Sequence, residues 1–377
     1  MDSLPARYDI AVIGAGMSGA SLAAELAPHA RVVLIEAESQ PGYHSTGRSA
    51  AFWTETYGGP AVAPLTNASG PFLDRPPADF ADATFLTPRG ALHVADTASQ
   101  PALDALLADF AGSGITLTPV DRAALEVRLP GLRTGWERGV AEPSCADIDV
   151  AALHAAYLRA ARRAGAVLLC DSPLLTAERA DVWRIRAGAH DLAADILVDA
   201  AGAWADPVAR LAGVRPLGIR PYRRTIAQLR IDPPAADDLP LVIDAAGRFY
   251  FKPVPGGRLW LSPHDETPQD AADAAPEDLD IAIAIDRLQG IVDWRVARIE
   301  HRWAGLRSFA PDRLPVYGFD SAKPGFFWFA GQGGFGIQTA PAAAKLGAAL
   351  LLGRSPEPMV AAIDAAAYAP DRTTLNG

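Results

Sequence analysis

A mostly apolar run from Tyr8 to Ile13 ends at the glycine-rich stretch Gly14-Ala15-Gly16-Met17-Ser18-Gly19. Such a short run, β-branched at Ile10, Val12 and Ile13 and bounded by glycine, predicts a buried strand. Ala20 to Ala27 then reads as a helix closed near Pro28, and Arg31 to Ile35 as a second apolar strand ending at Glu36. The same alternation returns further on. Asp149 to Ala164 reads as a helix capped by Asp147 or Asp149 and stopped by Gly165, leading to a strand around Val167. Ile196 to Asp199 reads as a strand entering a turn of small residues, Ala200 to Trp204. Phe326 to Ala330 is an aromatic strand followed by the glycine-rich 331–338 and a helix from Ala342 to Leu352, closed by Gly353. Strand, helix, strand in this order implies βαβ units around a parallel sheet. The runs Leu92 to Val94, Arg223 to Leu229, Phe249 to Lys252 and Leu259 to Ser262 are strands without intervening helices, and predict a mostly antiparallel sheet inserted into the first.

Composition narrows the possibilities. Half of the 377 residues are hydrophobic and 21% are charged, enough for a sizeable core. The net charge of −10 argues against nucleic acid as a partner. The two cysteines, Cys145 and Cys170, cannot form a disulfide framework and read as reduced intracellular thiols. The seven histidines show no ligand spacing, so no metal is expected. No apolar run approaches the roughly 18 residues of a membrane span, and the N-terminus has no signal-type pattern. The expected location is cytoplasmic, with peripheral contact to the inner membrane left open.

The first fifty residues carry chemistry. Strand, glycine-rich turn, helix, second strand and terminal acid together form a dinucleotide-binding fingerprint. Gly14 permits the tight turn, Gly16 lets a pyrophosphate approach the backbone, and Gly19 lets helix and strand pack closely. The helix N-terminus offers free N–H groups to phosphate. Glu36 can accept from ribose hydroxyls and disfavours a 2′-phosphate, which leaves FAD and NAD. After Glu36 the chain enters a polar loop, Gln40 to Ala51, with hydroxyls at Ser45, Thr46 and Ser49. The second glycine-rich turn at 331–338 and its helix N-terminus could face the reduced, negatively charged end of a flavin.

The motifs GAGMSGA (14–20), QPGYHSTGRSAA (40–51), ADIDVAALHAAYLR (146–159), LVDAAGAW (197–204), GVRPLGIRPYRR (213–224), FYFKP (249–253), WAGLRSFAPD (303–312) and GQGGFGIQT (331–339) span nearly the whole chain. They resemble the D-amino-acid oxidase and glycine oxidase superfamily of FAD-dependent oxidoreductases, and within it are most similar to the bacterial FAD-dependent D-arginine dehydrogenases. The resemblance implies a Rossmann-like α/β FAD domain, discontinuous over 1–80, 145–215 and 303–377. It also implies an inserted α+β substrate domain over 81–144 and 216–302, with the pocket between them. Non-covalent FAD would be held by Gly14, Ala15, Gly16, Ser18, Gly19, Glu36 and Ala37, by His44, Ser45, Thr46, Arg48, Ser49 and Ala50, by Leu174, Ala201, Gly202 and Trp204, and by Gly333, Phe335, Gly336, Ile337 and Gln338.

The resemblance further implies oxidative deamination. Once the amine has lost a proton, hydride passes from the substrate Cα to flavin N5, and the imino acid is hydrolysed by water to a 2-oxo acid and ammonia. Arg307 falls where the family clamps the substrate carboxylate, with Arg224 as a second clamp and Tyr250 as a hydroxyl donor. Tyr57 falls at the pocket mouth, and the Gly334 carbonyl would accept from the amine. The electron acceptor stays open between a quinone, another acceptor and O2.

The chain departs from the D-arginine enzymes at two positions. Ala91 replaces the glutamate that holds the guanidinium, and Phe52 replaces a histidine. With Trp53, Leu241 and Ile243 they describe an apolar pocket, which points to a D-amino acid with a neutral or apolar side chain. Glu55, two residues before Tyr57, is the one acid that could still enter. Two alternatives remain: an oxidase or dehydrogenase of a secondary amine or imino acid (glycine-, sarcosine- or proline-like), and a non-catalytic nucleotide-binding module.

Overall fold

The computed structural model describes residues 6–375. Its eight-stranded sheet has a parallel centre in the order Val167–Leu169, Val32–Ile35, Ala6–Ile13, His190–Asp199, Phe326–Ala330. Alternate residues of these strands feed two cores. Ile10, Val12, Leu34, Val198, Phe327 and Phe329 pack on the helices Met17–Leu26 and Ala340–Leu352, whereas Ala11, Ile13, Val33, Leu197, Phe326 and Trp328 face Trp183 and the helix Ala205–Leu211. Both faces are covered, as a parallel sheet requires, and this is why the strands read as near-continuous apolar runs.

The helices start earlier than the apolar pattern suggests. The fingerprint helix begins at Met17 rather than Ala20, because Gly16 is its N-cap and Gly19 already lies inside the first turn. The C-terminal helix begins at Ala340 rather than Ala342, with Thr339 as N-cap and proline in its first turn. Its other end is as read: Gly353 caps it in the left-handed conformation. The middle helix spans Val150–Arg163, and of the two candidate caps it is Asp149 whose side chain accepts from the Ala152 amide.

A second, ten-stranded sheet is antiparallel except where Leu241–Asp244 runs parallel to Ala91–Ala95. Arg295–Phe309 pairs with Arg220–Asp232, which pairs with Arg258–Ser262, then Tyr250–Val254, Leu241–Asp244, Ala91–Ala95 and Arg138–Glu142. The strand Arg295–Phe309 passes residue 303 unbroken. The glycine-rich 331–338 segment is not all loop: Gln332–Gly333 pairs with Ser308–Phe309 and ties the two sheets together. A small sheet of Phe52–Trp53, Ala146–Ile148 and Leu86–Pro88 lies beside them.

Register aligns side chains on one face of the larger sheet. Arg224 lies opposite Gly305, so Arg224, Ile226, Gly305 and Arg307 share a face by the two-residue period. Tyr250 opposite Ser262, Ile243 opposite Tyr250, Ala91 opposite Leu241 and Glu142 opposite Ala91 extend that face across the sheet. Arg223 points the other way, to Asp280 at 2.7 Å and to Glu277.

Candidate active site

A cavity of about 360 Å³ opens where the parallel strands end. Gly14 follows Ile13, Glu36 follows Ile35 and Ala200 follows Asp199, so the cavity lies at the carboxyl ends of the strands, where open α/β sheets bind ligands. Gly14 has φ +96°, and a Cβ there would meet the Ala200 carbonyl at 2.6 Å. Gly19 packs so closely on that turn that a Cβ would lie 1.9 Å from the Gly14 oxygen. Both glycines are demanded by backbone contact.

The lining includes Gly14, Gly16, Ser18, Glu36, Ala37, His44, Ser45, Thr46, Ser49, Leu174, Ala201, Gly202, Trp204, Gly333, Gly336 and Ile337. Other residues singled out by sequence stand elsewhere. Ala15 is buried behind the turn, where its amide donates to Glu36 Oε2 at 2.8 Å. Arg48 turns outward to pair with Asp273 and donates to the Ala274 carbonyl at 3.0 Å. Phe335 packs on Val62 and Phe309. Glu38, Ser172, Pro173, Pro207 and Leu211 line the cavity without having been marked by any motif, and Met17 and Tyr43 line it although the motifs around them did not single them out.

The polar atoms suit a dinucleotide. Glu36 is held by the Ala15 amide and, through Oε1, by the Glu38 amide at 3.1 Å, so its carboxylate is fixed at the wall. The N-cap Gly16 has no side chain of its own to cap the helix, and the Thr46 hydroxyl takes the first amide, accepting from Met17 at 2.9 Å. The His44 ring donates through Nε2 to Glu38 Oε1 at 2.9 Å, and leans on Trp204 with ring centres 4.6 Å apart.

A smaller cavity of about 20 Å³ abuts the first and shares Ser49, Arg307, Gly334 and Ile337 with it. Its remaining walls are Ala50, Ala51, Phe52, Tyr57, Arg224, Tyr250 and Gln338. Phe52 lies between the two tyrosines, with ring centres 5.5 Å from Tyr57 and 5.6 Å from Tyr250. Trp53 does not reach either cavity. Neighbouring strand residues point to opposite sides, and its indole N–H donates to the Thr66 carbonyl at 3.1 Å. Ala91, Leu241 and Ile243 form a second layer with Cys145 and Ile226 behind Tyr250 and Phe52. Glu55 is engaged away from the pocket, accepting from Ser144 Oγ at 2.6 Å.

The two arginines of this cavity differ. Arg224 donates to the Asp265 carbonyl at 2.9 Å and to Glu266 Oε1 at 3.1 Å. Arg307 is only 7% exposed and donates to the Leu306 carbonyl at 3.3 Å; among the described residues no carboxylate pairs with it. Burial pulls its pKa down, against the pull of Tyr250 and Tyr57. Burial likewise raises that of Tyr250. His264, edge-on to Tyr250 with ring centres 5.6 Å apart, is pushed down to about 3 by burial and by the nearby Arg224, so it is neutral at physiological pH. Sequence offered no sign of His264, which lies in the loop just past the strand Arg258–Ser262 with φ +53°. Among the described residues there is no cluster of metal-binding side chains, and no helix is long and apolar enough to cross a membrane.

Comparison with known proteins follows the same outline. A family model described as FAD dependent oxidoreductase matches residues 9–350. The glycine oxidase of Pseudomonas aeruginosa is 29% identical over 96% of this chain and 98% of its own. The glycine oxidase of Pseudomonas putida is 27% identical over 68% of each. The crystal structure of glycine oxidase from Geobacillus kaustophilus superposes with a TM-score of 0.83 at 23% identity, covering 97% of this chain and 99% of that one. L-proline dehydrogenase from P. horikoshii gives 0.83 at 20% identity, covering 97% and 98%. At these identities the two structures speak for the fold alone.

Proposed function

The chain belongs to the FAD-dependent oxidoreductase family, and on that premise we propose that it dehydrogenates a D-amino acid with a neutral or apolar side chain at the carbon next to nitrogen. The observation that carries this reading is Arg307: a buried guanidinium, facing a cavity, with no carboxylate partner among the described residues. An isolated buried charge is costly, and a substrate carboxylate would relieve it through paired charge-assisted bonds. Tyr250 stands beside it as a hydroxyl donor, and Arg224 adds positive charge on the same sheet face.

The lining of the larger cavity fits FAD. Glu36 would take the ribose hydroxyls, the remaining first-turn amides after Gly16 the pyrophosphate, and the loop of Ser45, Thr46 and Ser49 the remaining polar edge. Bound there, FAD supplies a two-electron acceptor for the hydride leaving the substrate carbon. The protein's own groups do the rest. Arg307 and Tyr250 orient the carboxylate, the Gly334 carbonyl accepts from the amine, and the rings of Phe52, Tyr57 and Tyr250 keep water from the reacting carbon. The imino acid released is hydrolysed by water to a 2-oxo acid and ammonia.

The preference for a neutral side chain rests on the apolar second layer of Ala91, Leu241 and Ile243, and the D configuration on the motif resemblance. A second reading, a glycine-, sarcosine- or proline-like substrate, is favoured by the close grouping of Phe52, Tyr57 and Tyr250 around the pocket and by curated relatives that are glycine oxidases. Anaerobic bleaching of the FAD-loaded protein decides between them, with D- and L-alanine, D-methionine, D-leucine, glycine, sarcosine, proline and D-arginine as the panel. Faster bleaching by D-alanine or D-methionine supports the first reading, and by glycine, sarcosine or proline the second. Bleaching by none overturns both.

A further inference from the structure

The pocket's mouth residue, Tyr57, sits on a loop with little backbone pairing of its own. Gly58 and Gly59 follow it with φ of +100° and +77°; the Gly59 amide donates to the Thr56 carbonyl at 3.1 Å, and the Gly59 carbonyl accepts from the Val62 and Ala63 amides, each at 3.1 Å. The loop is nevertheless placed tightly. The Tyr57 hydroxyl lies 2.1 Å from where a Cβ on Gly334 would stand, so the ring fills space that only glycine leaves free.

Two buried polar side chains hold the loop. On the cofactor side, Gln338 accepts from the Thr54 amide at 3.3 Å and donates to the Tyr57 carbonyl at 3.1 Å. On the side of the large sheet stands Glu142, which is wholly buried. Its Oε1 accepts from the Glu55 amide at 2.7 Å and the Thr56 amide at 3.4 Å. Its Oε2 accepts from the Thr56 hydroxyl at 2.7 Å and lies 3.0 Å from His93 Nε2. Burial alone would raise the pKa of this carboxyl. The bonds from His93, Thr56 and the Glu55 amide outweigh that, and it falls below its ordinary value. Register explains the placement: Glu142 lies opposite Ala91 and His93 opposite Val140, so both project from the face that carries Tyr250 and Arg307.

We propose that Glu142, oriented by His93, is a positioning residue that fixes Tyr57 across the substrate pocket by holding the Glu55–Thr56 backbone and the Thr56 hydroxyl. This rests on the reading of Arg307 as a carboxylate clamp. Glu142 does not touch the substrate and acts through Tyr57. It stands cross-strand from Ala91, where the D-arginine enzymes carry their guanidinium-binding acid, but its oxygens are already committed to the loop. It is therefore not the counter-charge of a cationic side chain.

A double-mutant cycle on the FAD-loaded protein tests this. The readout is the dissociation constant of propionate, a carboxylate that cannot be oxidised in the same way, from its perturbation of the flavin spectrum, together with kcat and KM. Glu142→Gln should weaken propionate by about five- to tenfold, and Tyr57→Ala by at least as much. In the Tyr57→Ala background, Glu142→Gln should change little, within about twofold, because nothing remains to be positioned. Thr56→Ser should retain wild-type binding and Thr56→Val should lose it; if Glu142→Gln does not hold FAD, the Thr56 pair carries the same cycle. Fold-changes that multiply would overturn the proposal, as would unchanged propionate binding in a folded yellow Glu142→Gln protein. Loss confined to D-arginine would instead make Glu142 a side-chain counter-charge and equally overturn it. If wild-type protein bound no carboxylate at all, the clamp reading itself would fail, and this inference with it.

Discussion

Replacing Arg307 with methionine separates two quantities that usually move together. The guanidinium is 7% exposed, donates to one backbone carbonyl and pairs with no carboxylate among the described residues. It is a desolvated charge with little to compensate it, and methionine of similar length removes that penalty. Unfolding free energy should rise by about 1 kcal/mol or more, which for a chain of this size shifts Tm upward by about 1–2 °C. Substrate binding should move the other way. A charge-assisted bond contributes about 1.5–3 kcal/mol, so kcat/KM should fall roughly 10- to 150-fold. The loss should be the same for every amino acid oxidised, because the carboxylate is common to all. The assay is thermal unfolding of the FAD-loaded protein in parallel with initial rates under an artificial electron acceptor. A folded yellow variant with kcat/KM within about threefold of wild type would remove Arg307 from the site. A loss that varied widely with the substrate side chain would place it on the side-chain wall instead.

FAD should be bound non-covalently: neither Cys145 nor Cys170 lines the cavities, and His44 Nε2 is tied to Glu38. Acid precipitation should leave the yellow colour in the supernatant, and colour retained on the pellet would contradict this. Neutral, apolar D-amino acids should exceed D-arginine in kcat/KM by at least about tenfold, because burying an unpaired guanidinium costs several kcal/mol; a wild-type preference for D-arginine over D-methionine would show an acid in the pocket. Asp312 should contribute acid-sensitive stability. Burial opposes its ionisation, but bonds from Arg372 (2.6 and 2.8 Å) and Thr374 (2.6 Å) win and hold its pKa at about 2, below the unfolded 3.8. A depressed carboxyl stabilises the fold above its unfolded pKa and loses that contribution as pH falls from 3.8 towards about 2. Asp312→Asn should cost about 1–2 kcal/mol at neutral pH, allowing for solvent screening, with the difference shrinking across that window in urea titrations; a pH-independent difference would contradict it.

What the sequence determined by itself was local. Whereas the cap of the middle helix was readable only as Asp147 or Asp149, the turn from Gly14 to Gly19, the terminal acid Glu36 and the Gly353 stop are each set by a few adjacent residues, whose backbone demands and periodicity are readable without partners. The alternation of strand and helix predicted a parallel sheet, and the helix-poor segments an antiparallel one, for the same reason. Long-range register decided the rest. Trp53 turns away while Phe52 faces the pocket, a choice of strand face that two adjacent aromatics do not announce. Gln332–Gly333 joins the edge of the large sheet because Ser308–Phe309 is there to pair with it. Arg223 and Arg224 are indistinguishable as letters; pairing with Leu306 and Gly305 sends one to Glu277 and Asp280 and the other to the cavity. Glu142, His93 and Thr56 carry no motif and lie far apart in the chain. They meet only because strands bring distant residues onto one face, where a buried carboxylate must find donors wherever the fold supplies them.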